Sequence, residues 1–203
     1  MSADDLDRCA DEELLRRLRR CDDAAFGALV RRYERELYGY LRRYLNDDAL
    51  AEDVFQNTFL QVYLKRRQYE EGRPVRPWLY TIATRQAIDA LRRHGRHQAV
   101  SLEQAREANG PGDLMLLETL AGDRPGPDAE AFAQERRELV RAAVERLPDF
   151  LRQVLLLAYY QGLKYRDVAD ALGIPVGTVK SRLHAALARL HDAWADAPAL
   201  NEV

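Results

Sequence analysis

Apolar residues recur at spacings of three and four along nearly the whole chain, as in Leu14, Leu15 and Leu18, and again in Phe26, Leu29, Val30, Tyr33 and Leu37. That is the period of amphipathic helices, and no stretch alternates in the manner of a half-buried strand. The pattern predicts an all-α protein. Turn formers then divide it into two small helical domains. The first covers residues 22–97 and is broken by a short loop where Pro74 and Pro77 precede Trp78. The second covers residues 127–195, with Leu147-Pro148 ending one helix and starting the next. Residues 98–126 between them hold Asn109-Gly-Pro-Gly-Asp113 and Gly122-Asp-Arg-Pro-Gly126, which read as a flexible linker. Leu114 to Leu120 is an apolar island in that linker and reads as a short docked helix.

The stretch from Tyr165 to Leu190 reads as a helix-turn-helix. A short helix turns Val168, Ala169 and Leu172 inward, and Ala169 is small where a second helix must cross closely. Gly173 supplies the positive backbone dihedral of a tight turn, Ile174 fills the corner, and Pro175 fixes the entry of the next helix. The inward face of that helix is Val179, Leu183, Leu187 and Leu190. Thr178, Ser181, Arg182 and Ala185 fall on the opposite face, flanked by Lys180 and His184. A plain helical hairpin with a solvated face has the same turn. The small residue, the glycine, the corner isoleucine, the proline and the outer face together favour a helix built for a DNA major groove.

Charge sharpens this reading. The 203-residue chain carries 31 basic and 33 acidic side chains, a net charge of -2, so any nucleic-acid surface must come from segregated charge. Between Val176 and Leu190 stand Lys180, Arg182 and Arg189 with no acidic residue. Between Thr84 and His97, Arg85, Arg92, Arg93 and Arg96 face only Asp89. Other chemistries lack their residues. There is no glycine-rich phosphate loop, no ligand spacing for a metal, and the four histidines are scattered, which predicts neither enzyme activity nor a cofactor. Glu52-Asp53 sit side by side on a helix and read as surface or docking groups, not an acid/base pair. Cys9 and Cys21 form no Cys-x-x-Cys pattern, in keeping with a reducing cytoplasm. With neither a basic, apolar leader nor an uninterrupted apolar run of about 18 residues, neither a signal peptide nor membrane insertion is expected.

Leu147-Pro148, Arg152-Gln-Val-Leu-Leu-Leu157, Gly162-Leu-Lys-Tyr165 and Gly173-Ile-Pro-Val-Gly-Thr-Val-Lys-Ser-Arg-Leu-His184 resemble region 4 of the extracytoplasmic-function (ECF) sigma factors. Ala51-Glu-Asp-Val-Phe-Gln-Asn-Thr-Phe-Leu60 is similar to region 2.2 of that family, and Trp78-Leu-Tyr-Thr-Ile-Ala83 with Ala87-Ile-Asp-Ala-Leu-Arg-Arg93 to regions 2.3 and 2.4. The resemblance implies a transcription initiation factor that binds core RNA polymerase, recognises promoter DNA and is held by an anti-sigma factor. It implies that Asp53, Gln56 and Asn57 meet the clamp helices of the largest polymerase subunit, Asn57 standing where an acidic residue is usual. It implies minus-10 contacts from Arg85, Arg92, Arg93 and Arg96, with Tyr69 in the loop Gln68-Tyr-Glu-Glu-Gly-Arg73 stacking on an extruded base. Arg85 occupies a place where the family often has Asn and offers donors only. It implies minus-35 contacts from Thr178, Lys180, Ser181, Arg182, His184 and Ala185, the last replacing a common arginine. The alternatives are a decoy that titrates an anti-sigma factor, which need not keep these cations, and a repressor with an unrelated first domain, which leaves the region 2 motifs unexplained.

Overall fold

The structure, a computed structural model, describes residues 6–93 and 139–195, and among these residues every regular element is helical. Helix α1 (Asp11–Arg19) opens with Asp11, Glu12 and Glu13 and closes with Arg16, Arg17 and Arg19, so its charges oppose the helix dipole at both ends. It buries Leu14, Leu15 and Leu18 against helix α2 (Asp23–Leu45) and thus extends the first helical block ahead of residue 22. Asp22 caps α2 by accepting from the backbone N–H groups of Ala24 and Ala25 at 3.1 and 3.2 Å. The helix stops at Asn46, whose left-handed φ of 51° suits its short polar side chain. Asp47 then caps helix α3 (Asp48–Lys65) through the Leu50 N–H at 2.9 Å.

Helix α4 (Val75–Arg93) starts ahead of Trp78, with Pro77 inside its first turn. A proline is tolerated there because first-turn N–H groups have no intrahelical acceptor. The Val75 N–H donates instead to Glu12 Oε1 of α1 at 3.3 Å. Further along, the chain is helical over 139–146, bends at Leu147-Pro148, and enters helix α5 (Asp149–Leu155), which widens into a π-helical turn at Leu156–Tyr160. Helix α6 (Tyr165–Leu172) and helix α7 (Val176–Ala195) follow. Gly173 ends α6 at φ 67°, as the turn requires, and its N–H bonds the Ala169 carbonyl. The linker at 98–126, with Leu114 to Leu120, lies outside the described residues, as does Arg96.

The described residues form two compact units. The first joins 6–93 with 156–176, and the second joins 139–155 with 177–195. In the first, Tyr40, Tyr44 and Tyr80 are fully buried with Leu29, Leu37, Leu41 and Leu79. The Tyr40 and Thr84 hydroxyls satisfy each other at 2.8 Å, and Thr58 donates back to the Val54 carbonyl at 2.7 Å, so these buried polar groups are paired. Tyr40 and Tyr80 meet edge to face at 5.3 Å. Within this unit α6 packs on α4. In the second unit Leu151, Val154 and Leu155 of α5, and Val179, Leu183, Ala186 and Leu190 of α7, are buried.

Candidate nucleic-acid and polymerase interface

Three surfaces carry the residues singled out by sequence. On α3 the inward stripe is Val54, Thr58 and Val62, all buried, which leaves Asp53, Gln56 and Asn57 exposed together. Gln56 Nε2 donates to Glu52 Oε1 at 3.0 Å, so its amide is already held by its own helix. Leu60 and Leu64 continue the same face and are 52% and 59% exposed. Sequence reading passed over these two leucines, although their spacing from Asp53 and Asn57 is helical. A leucine more than half exposed contributes little to the core of its own protein.

The second surface belongs to α4 and the loop before it. Arg85, Arg92 and Arg93 are exposed, with Arg85 and Arg92 two turns apart, about 10 Å along the axis. Arg92 lies 3.7 Å from Asp89 across an exposed i,i+3 pair, which leaves its charge largely free for another partner. Arg85 is engaged, since its Nη2 donates to the Asp170 carbonyl at 3.4 Å. Tyr69 departs from the expected open ring. It is only 5% exposed, its ring lies edge-on to Trp78 at 5.3 Å, and its hydroxyl donates to the Arg73 carbonyl. Burial, followed by the nearby carboxylate of Glu12, holds that hydroxyl above its usual pKa. Trp78, Thr81, Arg73 and Arg85 line a cleft of about 770 Å³ with Tyr69.

The third surface is the N-terminal half of α7. Lys180 and Ser181 are exposed, whereas Thr178, Arg182, His184 and Ala185 are half-buried. Arg182 lies over the Phe150 ring at 5.4 Å, and burial pulls its pKa down from the usual arginine value. Ser181 Oγ donates to the Thr178 carbonyl at 3.1 Å. The first turn of α7 holds no carboxylate. By contrast α1, α2, α3, α5 and α6 each carry an acidic residue there, and α4 receives Glu12. The positive end of the α7 dipole is therefore left for an outside anion, beside Lys180.

Comparison with known proteins gives these surfaces a common setting. The sigma-70 region 2 family model matches residues 29–97, and that of sigma-70, region 4 matches residues 137–190. The RNA polymerase sigma-H factor of Pseudomonas aeruginosa is 32% identical over 85% of this chain and 88% of its own length. The chain belongs to the ECF sigma factors. This sigma factor is also 29% identical to the ECF RNA polymerase sigma factor SigW of Bacillus subtilis, over 84% of this chain and 89% of that one. The fold of CnrH, solved in complex with the cytosolic domain of CnrY, is similar at a TM-score of 0.63 and 24% identity, covering 93% of this chain and 100% of that chain. That of RpoE with the anti-sigma factor NepR from Bartonella quintana is similar at 0.59 and 23%, covering 84% and 97%. These two likenesses concern the fold. Sigma factors are transcription initiation factors and not enzymes, and among the described residues no group of His, Cys, Asp and Glu is arranged to hold a metal.

One further constellation in the sigma factor was not legible in sequence. Arg76 of α4 forks onto both carboxylate oxygens of Glu36, with Nη1 to Oε2 at 2.9 Å, and also donates to Gln161, 85 residues away. The Tyr80 hydroxyl lies 2.7 Å from Glu36 Oε1 and 2.6 Å from Gln161 Oε1. Burial, then its bond to Glu36, raises its pKa far above the usual tyrosine value.

Proposed function

We propose that this sigma factor joins core polymerase through the exposed face of α3, at Asp53, Gln56, Asn57, Leu60 and Leu64. Arg85, Arg92, Arg93 and Arg96 then hold the minus-10 element, and Thr178, Lys180, Ser181, Arg182, His184 and Ala185 address the minus-35 duplex. The observation that carries the duplex assignment is the α7 N-terminus, free of carboxylates and flanked by exposed Lys180 and Ser181. Phosphate contacts there fix register, and the half-buried side chains behind them meet base edges. The protein supplies no covalent chemistry. Its binding energy positions polymerase and holds the opened strand, while bond formation belongs to the core enzyme. Tyr69 enters only after a rearrangement that frees its ring, so the cations of α4 carry the minus-10 contact in this reading.

The same reading gives the protein an anti-sigma partner and a place in the cytoplasm. RpoE in the similar structure is bound to the anti-sigma factor NepR. Cys9 and Cys21 form no disulfide with each other, and among the described residues no helix is long and apolar enough to cross a membrane. The test is reconstitution. Purified protein is added to sigma-free core polymerase on genomic DNA, and transcript 5′ ends are sequenced. Recurrent starts preceded by a shared pair of elements are expected, and random starts under conditions where a reference sigma factor works refute the proposal.

A further inference from the structure

Arg17, Arg32 and Arg76 are half-buried, and each gives N–H donors to a carboxylate, that of Glu13, Asp11 and Glu36 in turn. Arg182 of α7 is half-buried too, but its partner is of another kind. It lies over the ring of Phe150, the second residue of α5, at 5.4 Å and within one compact unit. Burial draws its pKa down, and among the described residues no carboxylate pairs with it. Asp149, beside Phe150, pairs instead with Arg152 Nη2 at 2.5 Å. An aromatic ring attracts a guanidinium through its quadrupole and does not take its N–H donors as a carboxylate does. Arg182 is therefore held in place with its donors still available.

The surroundings of this pair add to its significance. Leu151, Val154 and Leu155 of α5 fill the core, whereas Phe150 is only half-buried, so core filling alone does not account for its ring. On α7, Thr178 lies one turn before Arg182 and Ala185 one turn after it, so that strip of the helix carries a single cation. Lys180 nearby is a compact point charge, while the planar arginine fork matches the O6 and N7 edge of a guanine. We propose that Phe150 is a positioning residue for promoter reading, its ring fixing the Arg182 guanidinium so that the fork meets a base edge of the minus-35 duplex. An arginine ordered before DNA arrives gives up less side-chain freedom on binding. Phe150 acts through Arg182, and the inference rests on the assignment of Arg182 to the minus-35 element.

The experiment uses full chains assembled with core polymerase, and duplexes carrying every substitution in the minus-35 element of a start site mapped in the reconstitution. Wild type is compared with Phe150→Leu, Phe150→Tyr, Arg182→Ala and the pair Phe150→Leu with Arg182→Ala. Phe150→Met replaces the leucine variant if circular dichroism shows that variant unfolded. Arg182→Ala is expected to lose about fivefold or more of discrimination at one base pair. Phe150→Leu should lose about two- to fivefold at that same base pair and leave the others unchanged. Phe150→Tyr keeps the ring and should discriminate as wild type does. In the pair, Phe150→Leu should add nothing to the Arg182→Ala loss, because its effect runs through that side chain. A loss spread evenly over all duplexes and present in both backgrounds assigns Phe150 to packing. That result, or unchanged discrimination by folded Phe150→Leu, overturns the positioning role and leaves Arg182 as a base reader. If Arg182→Ala itself shows no base-specific loss, the proposal falls together with the assignment of Arg182.

Discussion

Lys180 and Arg182 lie two residues apart on α7 yet sit in different surroundings, and replacing each by alanine separates backbone contact from base reading. Lys180 is exposed and has no side-chain partner among the described residues, so Lys180→Ala should change stability by less than about 0.5 kcal/mol. If it neutralises one phosphate, the slope of log K against log salt falls by about 0.9, and between ~50 and ~200 mM salt one such contact accounts for about a 3.5-fold loss of affinity. That loss should be the same on all sequences. Arg182 is half-buried with its guanidinium 5.4 Å from the Phe150 centroid. Truncation there removes a cation–π contact of about 0.5–1 kcal/mol, which lowers the melting temperature of a chain this size by roughly 1–4 °C. A base contact adds about 1–3 kcal/mol of discrimination confined to one base pair. The assay is holoenzyme binding to duplexes carrying every substitution in the minus-35 element, at several salt concentrations, with melting curves of the free proteins. A sequence-independent loss for Arg182→Ala, with a slope change matching that of Lys180→Ala and no drop in melting temperature, refutes the division.

Asp53→Ala should weaken binding to core polymerase several-fold while leaving the melting temperature unchanged, measured by competition with a labelled reference sigma factor; an unchanged midpoint removes Asp53 from the interface. Leu60→Ala with Leu64→Ala should weaken core binding further with stability within about 1 kcal/mol, because both side chains are more than half exposed. Thr84→Val leaves the Tyr40 hydroxyl without its 2.8 Å partner and should cost about 1–3 kcal/mol in chemical denaturation. Adding Tyr40→Phe to that variant should recover most of the loss, and failure of the pair to compensate would assign the cost to packing.

The helices were legible from the three- and four-residue spacing of their apolar positions, and α2 and α3 are capped by residues beside them in sequence, Asp22 and Asp47. Features that join distant positions were not. The Glu12 cap on Val75 spans 63 residues, and it explains why α4 can begin before Trp78 with a proline in its first turn. The acid-free start of α7 was visible as composition. What composition did not give was burial, and Arg182, Thr178, His184 and Ala185 share a half-buried setting that separates them from Lys180 and Ser181. Tyr69 illustrates the same limit. An aromatic residue in a polar, glycine-containing loop reads as exposed, whereas Trp78 and the Arg73 carbonyl give its ring and hydroxyl places inside.

Arg85 ties the sequence departure to the structure. An asparagine there, common in the family, offers both donor and acceptor on a short stem, whereas arginine offers only donors on a long one. Sequence alone frames that difference as a matter of base preference. In the structure the guanidinium has a second use, because the Asp170 carbonyl at the end of α6 is within its reach. Arg85→Asn should therefore alter promoter preference in holoenzyme and also loosen α6 in the free protein. Hydrogen exchange at residues 165–172 reads the second effect without DNA present. Faster exchange there, alongside a changed minus-10 preference, places both uses on one side chain. A changed preference with unaltered exchange restricts Arg85 to promoter DNA.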